Sequence, residues 1–377
     1  MTDARVRRFA IVLQTPKDPQ SAIYIGYGAL AGALRALGHH VDIVAPGDFP
    51  ATRRLAGRWV PLLYPFVVAQ WMRTVGQHAD VVVFHSYAGW RCRSMRGGRG
   101  PRAVLAFHGL EPLYHAELRA ETDARGRPLS RRYRLLQERL MPIMLQRGCR
   151  KATAVTCLNR HEADFLGQQG WVPPADIHVM PHGIPPVFFA PPRAASGART
   201  WLFVGQWLPM KGIAYLRDAM AALMERIPDL GLVCAGTLAD ERSVRADFPI
   251  ALRSRVAVYP RIAQDDLADL YRRVDAFVFP SLYEGFSRAL VEAMAAGLPI
   301  VTTNVGVAAD ALRDGLSALV VPPRDAASIV AAVERLRHDP ALAVRLGAAA
   351  RMASEDYHLD QRQHQMIDFL LDLAGRR

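Results

Sequence analysis

The sequence predicts an α/β protein made of two doubly wound domains, each with a parallel sheet covered by helices. Three observations support this fold class. Apolar, strand-like runs alternate with helix-like segments, the alternation stops once in a proline-rich stretch and then restarts, and 377 residues suit two domains better than one. Because 51% of the residues are hydrophobic, each half can bury a core of its own.

The first half contains six short apolar runs that are typical of buried parallel strands, which are hydrophobic on both faces. Between the first two runs, a helical stretch near residues 29–37 is expected to end at Gly38, because glycine favours helix ends. The order of elements predicts successive βαβ units. The six runs are 9–13, 41–44, 79–84, 103–107, 155–157 and 177–179.

The pattern is interrupted over residues 185–200, which hold Pro185, Pro186, Pro191, Pro192 and Gly197 without helical periodicity. We predict an interdomain linker there. The second half then repeats the alternation of strands and helices. Its strand-like runs are 201–204, 231–234, 256–258, 276–279, 299–301 and 318–321.

The positive charge of the chain is confined to one half. Residues 1–190 carry 25 Lys and Arg against 13 Asp and Glu, whereas residues 191–377 carry 22 of each. An arginine-rich composition contributes, yet the asymmetry favours anionic partners such as a membrane surface or a phosphorylated acceptor. No recognisable nucleic-acid-binding module accompanies the charge, so we expect no nucleic-acid partner.

The sequence shows no membrane-spanning run and no signal peptide, which predicts a cytoplasmic protein. The four cysteines lack metal-ligand spacing, and they are expected to be reduced thiols. No acidic metal-binding cluster is evident near the motif described next, so neither a metal nor another cofactor is expected.

The most informative motif runs from residue 279 to residue 294. A strand is expected to end at Phe279, a turn follows through Gly285, and a helix starts near Ser287, whose hydroxyl can cap the first turn. The free N–H groups of a helix start form an anion site that suits a diphosphate. Glu284 and Glu292 could then bind sugar hydroxyls, although the same spacing also fits a capped amphipathic helix with two solvated acids.

This segment resembles the signature of the retaining family-four glycosyltransferases, which have the GT-B fold. The resemblance rests on two glutamates eight positions apart, an alanine-rich helix ending in Gly297-Leu298-Pro299, and a match through 301–306, 314–315 and 319–323. It implies two Rossmann-like domains that face each other across a cleft. It also implies that Glu284 approaches the donor sugar, that Glu292 holds the ribose, and that the diphosphate meets the backbone amides of Gly285, Phe286 and Ser287.

A second donor-binding loop is expected after the strand 201–204. The family pattern there is Gly-Arg…Lys-Gly with both cations on the donor phosphates, whereas this chain has Gly205, Gln206 and Lys211. Lys211 keeps one cation, and Gln206 supplies an amide without charge; Arg261 and Arg288 are the candidates to replace the missing cation. In similar proteins the loop at Arg261 and Ile262 surrounds the nucleobase, without indicating uracil or guanine.

In the first half, His108 follows a strand and resembles the family histidine near the transferred sugar, although a buried structural histidine fits equally well. The segment Pro181-His182-Gly183-Ile184 is interpreted as structural. The glycine pair that the family has early in the chain would fall near Gln20-Ser21 and is absent. The Gly26-x-Gly28 pattern lies too far beyond the first strand to bind NAD.

Two segments could contact an anionic membrane. Residues 59–72 are largely apolar and follow Arg53, Arg54 and Arg58, although an ordinary buried element explains them as well. A second basic cluster is Arg91, Arg93, Arg96, Arg99 and Arg102.

Together these observations predict domains at 1–184 (acceptor side) and 201–355 (nucleotide-sugar binding), the linker 185–200, and a helix in 356–377 that crosses back to the first domain. The predicted activity is retaining transfer of a hexose-type sugar from a UDP- or GDP-sugar to a glycan or lipid-linked acceptor in envelope polysaccharide or glycolipid synthesis. Lys211, Glu284 and His108 are the predicted catalytic residues. A GT-B epimerase or phosphorylase, or a non-catalytic nucleotide-sugar-binding module, remains the alternative.

Overall fold

A computed structural model describes residues 5–18, 21–53, 59–96, 100–189 and 198–375. The chain divides into two compact units. Unit 1 comprises the described parts of Met1–Pro112, Ser130–Pro181 and Arg362–Arg377, and unit 2 those of Leu113–Leu129 and His182–Gln361. The predictions for Gln20, Arg54, Arg58, Arg99 and linker residues 190–197 lie outside the described residues, and the sequence-based domain boundaries remain predictions.

Each unit contains one six-stranded parallel sheet, so the predicted α/β class is confirmed. The strand orders are β2-β1-β3-β4-β5-β6 in unit 1 and β12-β11-β10-β7-β8-β9 in unit 2. Each of the twelve apolar runs forms one strand. The strands are β1 Arg8–Val12, β2 His40–Val44, β3 Val81–His85, β4 Arg102–Ala106, β5 Ala154–Cys157, β6 Ile177–Val179, β7 Thr200–Val204, β8 Gly231–Ala235, β9 Val256–Tyr259, β10 Ala276–Phe279, β11 Ile300–Thr303 and β12 Leu319–Val321.

Helices connect most consecutive strands, as is usual for parallel pairing. Between β3 and β4 the described residues form only the 3-10 helical turn Ser86–Gly89. A π-helical turn, Leu135–Leu140, joins α5 to α6. The helices are α1 Ala22–Ala36, α2 Pro50–Arg53, α3 Val60–Thr74, α4 Glu111–Ala124, α5 Arg131–Arg134, α6 Met141–Lys151, α7 Arg160–Gln168, α8 Ile213–Arg226, α9 Glu241–Ala246, α10 Gln264–Arg273, α11 Arg288–Ala295, α12 Val307–Ala311, α13 Ala326–His338, α14 Pro340–Ser354 and α15 Leu359–Gly375.

The core of unit 1 explains why α1 begins well before the predicted residue 29. Tyr27, Leu30 and Leu34 of α1 are buried in one cluster with the β1 residue Phe9. These positions recur at helical spacing, so the packing of this face outweighs the two glycines that lower the helix propensity of the first turns. The same cluster includes Leu370 and its neighbours on α15, which therefore covers the unit 1 sheet.

The apolar stretch at 59–72 forms most of α3. Tyr64 and Val68 are fully buried and Met72 nearly so, whereas Leu63 and Phe66 are exposed. One face of the helix therefore belongs to the core of unit 1, as the structural interpretation predicts, and another face meets solvent. Within the described ranges, no helix combines the length and the apolar composition that crossing a bilayer would need.

Candidate active site

Three loops of unit 2 meet at one edge of its sheet. Strands β7, β10 and β11 are neighbours and parallel, so their carboxyl ends lie side by side. They are followed by the loops 205–212, 280–287 and 304–306. These loops contain most of the residues that the sequence assigns to donor binding.

Gly212 fixes the first loop against the second. It has a left-handed backbone, with φ of +69°, and a Cβ at this position would lie 1.9 Å from the carbonyl oxygen of Pro280. No side chain fits that space. The carbonyl of Met210 also accepts hydrogen bonds from Ser281 Oγ at 3.0 Å and from the Leu282 amide at 2.8 Å. These contacts hold Lys211 beside the second loop.

Lys211 and Glu284 form a direct ion pair. Lys211 Nζ donates to Glu284 Oε1 at 2.5 Å, and Ser281 Oγ donates to the same oxygen at 2.6 Å. Glu284 is only 8% exposed, so the ammonium and the hydroxyl offset the free-energy cost of burying its charge. The ammonium also lies 5.7 Å from the centre of the Phe279 ring.

Gly306 packs the third loop onto the second. Its φ is +56°, and a Cβ there would lie 2.8 Å from Glu284 Cβ and 3.2 Å from Ser287 Oγ. The amide of Val307 donates to the carbonyl of Phe286 at 3.2 Å. A glycine is therefore needed at this position to let the backbone approach the glutamate.

Ser287 precedes α11, but it does not cap the helix with its side chain as the sequence suggested. Its φ is +78°, in the left-handed region, whereas capping side chains normally extend from a β-region backbone. Across the described residues, neither the buried Ser287 Oγ nor the buried Arg288 Nε has a hydrogen-bond partner. Buried polar atoms without partners cost free energy, and a ligand at the helix start could satisfy them.

Glu292 lies in the second turn of α11 and is 5% exposed. Its Oε2 accepts a hydrogen bond from Tyr271 Oη at 3.2 Å, and Oε1 lies 3.7 Å from a guanidinium nitrogen of Arg288. Burial raises the pKa of Glu292, and Arg288 and Tyr271 partly offset that rise. The carboxyl is therefore a buried hydrogen-bonding group and not one of two solvated acids.

Two family models together match residues 28–353 of this chain. The model of glycosyl transferases group 1 matches residues 187–353, and the model of glycosyltransferase family 4 matches residues 28–188. The chain belongs to glycosyltransferase family four. A curated relative, D-inositol 3-phosphate glycosyltransferase of Streptomyces bingchenggensis, is 31% identical over 220 residues, which are 53% of this chain and 48% of the relative. The chain thus spans about half the length of that relative.

Solved structures share the fold along the full length of this family-four chain. Sucrose-phosphate synthase from Thermosynechococcus elongatus superposes with a TM-score of 0.76 at 19% identity, covering 98% of this chain and 100% of the other. Anabaena HepE in complex with UDP-glucose superposes with a TM-score of 0.67 at 15% identity, covering 97% and 99%. These likenesses confirm the predicted GT-B fold.

The other predicted donor-binding residues of unit 2 differ in their solvent exposure. Gln206 and Arg261 are exposed, Ile262 is half-buried and Phe286 is buried. His108 belongs to unit 1 and is not part of the unit 2 cluster. The roles assigned to all these residues remain predictions.

Sequence reasoning missed several residues of this candidate site. Ser281 and Gly306 hold Glu284, and Tyr271 holds Glu292. The only sequence signal was Gly306 itself, which fell inside the family match without a role of its own. The contacts of Ser281 and Tyr271 depend on which loops and helices become neighbours.

His182 packs against the loop 280–287. Its ring contacts Phe286 edge to face with centroids 5.5 Å apart. Burial, and secondarily the charge of Arg288, lower the pKa of His182 to about 4. A Cβ on the adjacent Gly183 would lie 2.4 Å from the Leu359 Cα, which agrees with the structural role predicted for this segment.

A cluster of ion pairs around the buried Glu121 attaches the segment 113–129 to the rest of unit 2. Glu121 is 1% exposed, accepts a hydrogen bond from Tyr215 Oη at 3.0 Å, and pairs with Arg324 at 3.2 Å and with Arg125. Arg324 also pairs with Glu117 at 2.7 Å. Each acid in the cluster therefore has a cationic partner.

The described part of the chain holds no group of three or more histidine, cysteine, aspartate or glutamate side chains arranged to bind a metal ion. The four cysteines, all of them in described parts of the chain, are buried and form no disulfide. Burial raises the pKa of Cys92 and of Cys149 to about 12, so these thiols are protonated at neutral pH.

Proposed function

We propose that this protein transfers a hexose-type sugar, with retention, from a UDP- or GDP-sugar to a glycan or lipid-linked acceptor in envelope polysaccharide or glycolipid synthesis. The observation that carries the proposal is the contact between Lys211 and the buried Glu284, next to a helix start with unsatisfied polar atoms. A cation, a carboxylate and a helix N-terminus are what a sugar diphosphate needs.

The proposed chemistry relies on electrostatics. The bond between the anomeric carbon and the diphosphate oxygen breaks, and the leaving diphosphate gains negative charge near Lys211 and the start of α11. The acceptor oxygen forms the new bond to the anomeric carbon, and its proton passes to an oxygen of the leaving diphosphate. Stabilising such a developing charge is often the largest contribution to catalysis.

The ion pair prepares the site for a donor. Without a ligand, Lys211 and Glu284 neutralise each other and hold each other in place. An arriving diphosphate would compete for the ammonium, because two phosphate charges attract it more strongly than one carboxylate does. Glu284 would then accept hydrogen bonds from the sugar hydroxyls, while Glu292 accepts them from the ribose.

Arg288 is the better candidate to replace the cation that Gln206 lacks. Its Nε is buried and has no hydrogen-bond partner among the residues described, and Arg288 is the first residue of α11. Arg261 is exposed and lies on another loop. We therefore assign the second phosphate contact to Arg288 and leave the nucleobase loop to Arg261 and Ile262.

The solved complex of the HepE relative contains UDP-glucose, which makes a UDP-sugar the first donor to test. The curated relative carries inositol 3-phosphate in its name, which is consistent with a polyol acceptor. We propose no metal or other cofactor, so the chelator EDTA should leave the transfer rate unchanged.

The test combines donor binding and transfer in matched variants. Thermal shifts with UDP-glucose, UDP-galactose, UDP-N-acetylglucosamine and GDP-mannose identify the donor, because a ligand that binds only the folded state raises its stability. Each of the variants Lys211→Met and Glu284→Gln should then lose the thermal shift caused by the donor, the sugar transfer, or both. Lys17→Met should change neither readout. Lys17 is the matched control, since it also pairs with a carboxylate, that of Asp48 at 2.9 Å in unit 1.

Stability must be separated from function in this test. Lys211→Met leaves Glu284 buried without its cation and should lower the free energy of unfolding by about 3 kcal/mol. The double variant Lys211→Met/Glu284→Gln should regain most of that stability and stay inactive. Normal turnover by the stable double variant would refute the proposed site.

We also propose that unit 1 contacts the anionic inner face of the cell membrane. Phe66 of α3 is 48% exposed and lies under the guanidinium of Arg91, at 4.4 Å. The guanidiniums of Arg91 and Arg147 both lie over the Trp90 ring. Ile143 is exposed one helical turn before Arg147, so apolar and cationic side chains alternate on this surface.

Part of the second basic cluster is not available for such contact. Arg96 pairs with Asp176 at 2.5 Å, and Arg102 belongs to strand β4. The membrane test is flotation of the protein with phosphatidylglycerol vesicles and with phosphatidylcholine vesicles. Phe66→Ser should reduce binding to the anionic vesicles, and Leu37→Ser, at an exposed leucine on another helix end, should not. Equal binding by wild type and Phe66→Ser would refute this surface.

A further inference from the structure

The connection between strands β3 and β4 holds a tryptophan against helix α6 of unit 1. After the turn Ser86–Gly89 the chain continues through Trp90. The side chain of Lys151, at the end of α6, donates to the carbonyl oxygens of Trp90 and Cys92, each at 2.9 Å. A Cβ on Gly148 would lie 3.8 Å from the Cβ of Trp90, so the helix comes close at this glycine. Trp90 therefore has a fixed position beside α6.

Two arginines lie over the Trp90 ring. The guanidinium of Arg91 is 5.1 Å from the centre of this ring, and that of Arg147 is 5.8 Å from it. Arg91 is also 4.4 Å from the centre of the Phe66 ring, which meets the Trp90 ring edge to face. Attraction to the ring faces holds both guanidiniums in place without using their N–H groups as hydrogen-bond donors.

The positive charge at this place is not neutralised by nearby acids. Within the described ranges, Arg91, Arg147 and Lys151 form no ion pair with an acid, and neither guanidinium donates a hydrogen bond. Burial lowers the pKa of Lys151, and the charges of Arg91 and Arg147 lower it further, so the three cations are close enough to repel one another. An anion bound among them would replace this repulsion by attraction.

An unused hydrogen-bond donor lies among the same side chains. Across the part of the chain that is described, Nε1 of Trp90 is buried and has no hydrogen-bond partner, although the residue as a whole is only half-buried. Buried indole N–H groups usually have a partner, and a missing one costs free energy. An oxygen of a ligand held by the two arginines would remove this cost. The unpaired charge and the unused donor are independent observations that indicate the same site.

The chemistry of these groups selects a phosphate. Guanidinium and indole N–H groups donate hydrogen bonds and accept none, so the ligand must present several acceptor oxygens. A phosphodiester has two oxygens that share a negative charge, and each can accept from a different donor. Leu63, Phe66 and Ile143 are 44%, 48% and 45% exposed on the helices that flank the arginines. These apolar side chains suit a phosphate that carries acyl chains.

We propose that Trp90, Arg91 and Arg147 bind the phosphodiester group of one anionic phospholipid. The choice of a lipid rests on the proposed membrane contact of unit 1, whereas the phosphate site does not. A membrane contact alone needs only attraction between charges, but a site of this kind holds one lipid per chain. Lys151 supports the site by holding the Trp90 backbone and by adding charge.

The test titrates the full chain with dihexanoyl-phosphatidylglycerol, a lipid short enough to be used as a dissolved monomer. The readout is the indole N–H region of a proton–nitrogen NMR spectrum, in which each of the six tryptophans gives one signal. The signal of Trp90, identified by its loss in Trp90→Phe, should move downfield along a single-site binding curve, because its N–H gains an acceptor. The remaining indole signals should move little.

Matched variants separate a defined site from diffuse attraction. Arg147→Gln should weaken binding of the dissolved lipid about tenfold by calorimetry, because it removes a charge-assisted hydrogen bond. Trp90→Phe keeps a ring under the guanidiniums, removes the N–H group and should weaken binding about fivefold. The control is Arg150→Gln, at an exposed arginine of the same helix. It removes the same charge as Arg147→Gln and should leave binding unchanged.

Soluble probes distinguish the sources of the phosphate. Dihexanoyl-phosphatidylcholine carries the same phosphodiester next to a cation, which the arginines repel, so it should bind more weakly than the phosphatidylglycerol lipid. Glycerol 3-phosphate and inorganic phosphate have no acyl chains and should also bind more weakly. Tighter binding of inorganic phosphate than of the lipid would assign the site to a free phosphate and overturn the choice of a lipid.

The outcomes are distinguishable from those of the membrane test. The inference is overturned if the Trp90 signal does not move, or if Arg147→Gln and Arg150→Gln weaken binding equally. Equal weakening, in a protein that still binds anionic vesicles, would leave the membrane contact standing and refute the defined site. A Trp90 signal that moves with the dissolved lipid, in a protein that ignores anionic vesicles, would support the site and refute the membrane contact. Should Trp90→Phe fail to fold, the comparison of Arg147→Gln with Arg150→Gln still decides.

Discussion

Acidification should destabilise unit 2 through His182. The pKa of this imidazole falls from 6.5 to about 4 on folding, chiefly because it is buried against the donor loop. Above pH 6.5 this imidazole is neutral in both the folded and the unfolded protein. As the pH falls from about 6.5 towards 4, only the unfolded protein takes up the proton readily, so the folded state loses stability. Between pH 7.5 and pH 5.0 the loss from this one residue is about 2 kcal/mol.

For a unit of this size, that loss corresponds to a decrease in melting temperature of about 4–8 °C. Other groups titrate over the same range, so the quantity to measure is a difference between variants. His182→Asn cannot titrate and should lose about 4–8 °C less than wild type between the two pH values. His338→Asn, at an exposed helix end, is the control and should follow wild type.

The assay is differential scanning calorimetry at pH 7.5 and 5.0, which resolves separate transitions if the units unfold independently. His85 has a similarly lowered pKa in unit 1, so both transitions should move in wild type. Only the unit 2 transition should respond to His182→Asn. An identical pH shift in wild type and His182→Asn would show that the imidazole is solvated and that the reasoning is wrong.

Three further substitutions test the packing of unit 2. Gly212→Ala should lower the free energy of unfolding in urea by about 3 kcal/mol, because its Cβ meets the Pro280 carbonyl; an unchanged midpoint would contradict this. Ser287→Gly should raise stability by about 1 kcal/mol by relieving its left-handed backbone, yet weaken donor binding by calorimetry, and stronger binding would contradict the proposed site. Arg324→Met should destabilise unit 2 by about 2 kcal/mol in urea by leaving buried Glu121 with fewer partners, and Glu121→Gln should rescue it; equal stability of the single variant would contradict the ion-pair role.

The sheets could be predicted from sequence because fully buried parallel strands leave a strong apolar signal. Runs such as 9–13 and 276–279 have no other ready explanation, and each appears as a strand. Helix boundaries were harder, as α1 shows. The early part of this helix packs against the sheet through Tyr27, and that contact cannot be read from helix propensities.

The site could be located from sequence, but its internal contacts could not. Glu284, Glu292 and Lys211 were identified by a family resemblance, whereas the ion pair between Lys211 and Glu284 depends on how closely Gly212 lets two loops approach. The Ser287 cap was predicted from residue type alone. It is wrong, since Ser287 has a left-handed backbone and its side chain makes no capping hydrogen bond.

The alternation of the two units along the chain has a consequence for biosynthesis. Unit 1 draws on three stretches of chain and unit 2 on two, and residues 362–375 supply most of helix α15 over the unit 1 core. A nascent chain that has emerged only as far as residue 181 therefore exposes the apolar surface that α15 will cover. We expect this surface to recruit chaperones during translation, and we expect fragments cut at residue 181 to need co-expression before either becomes soluble.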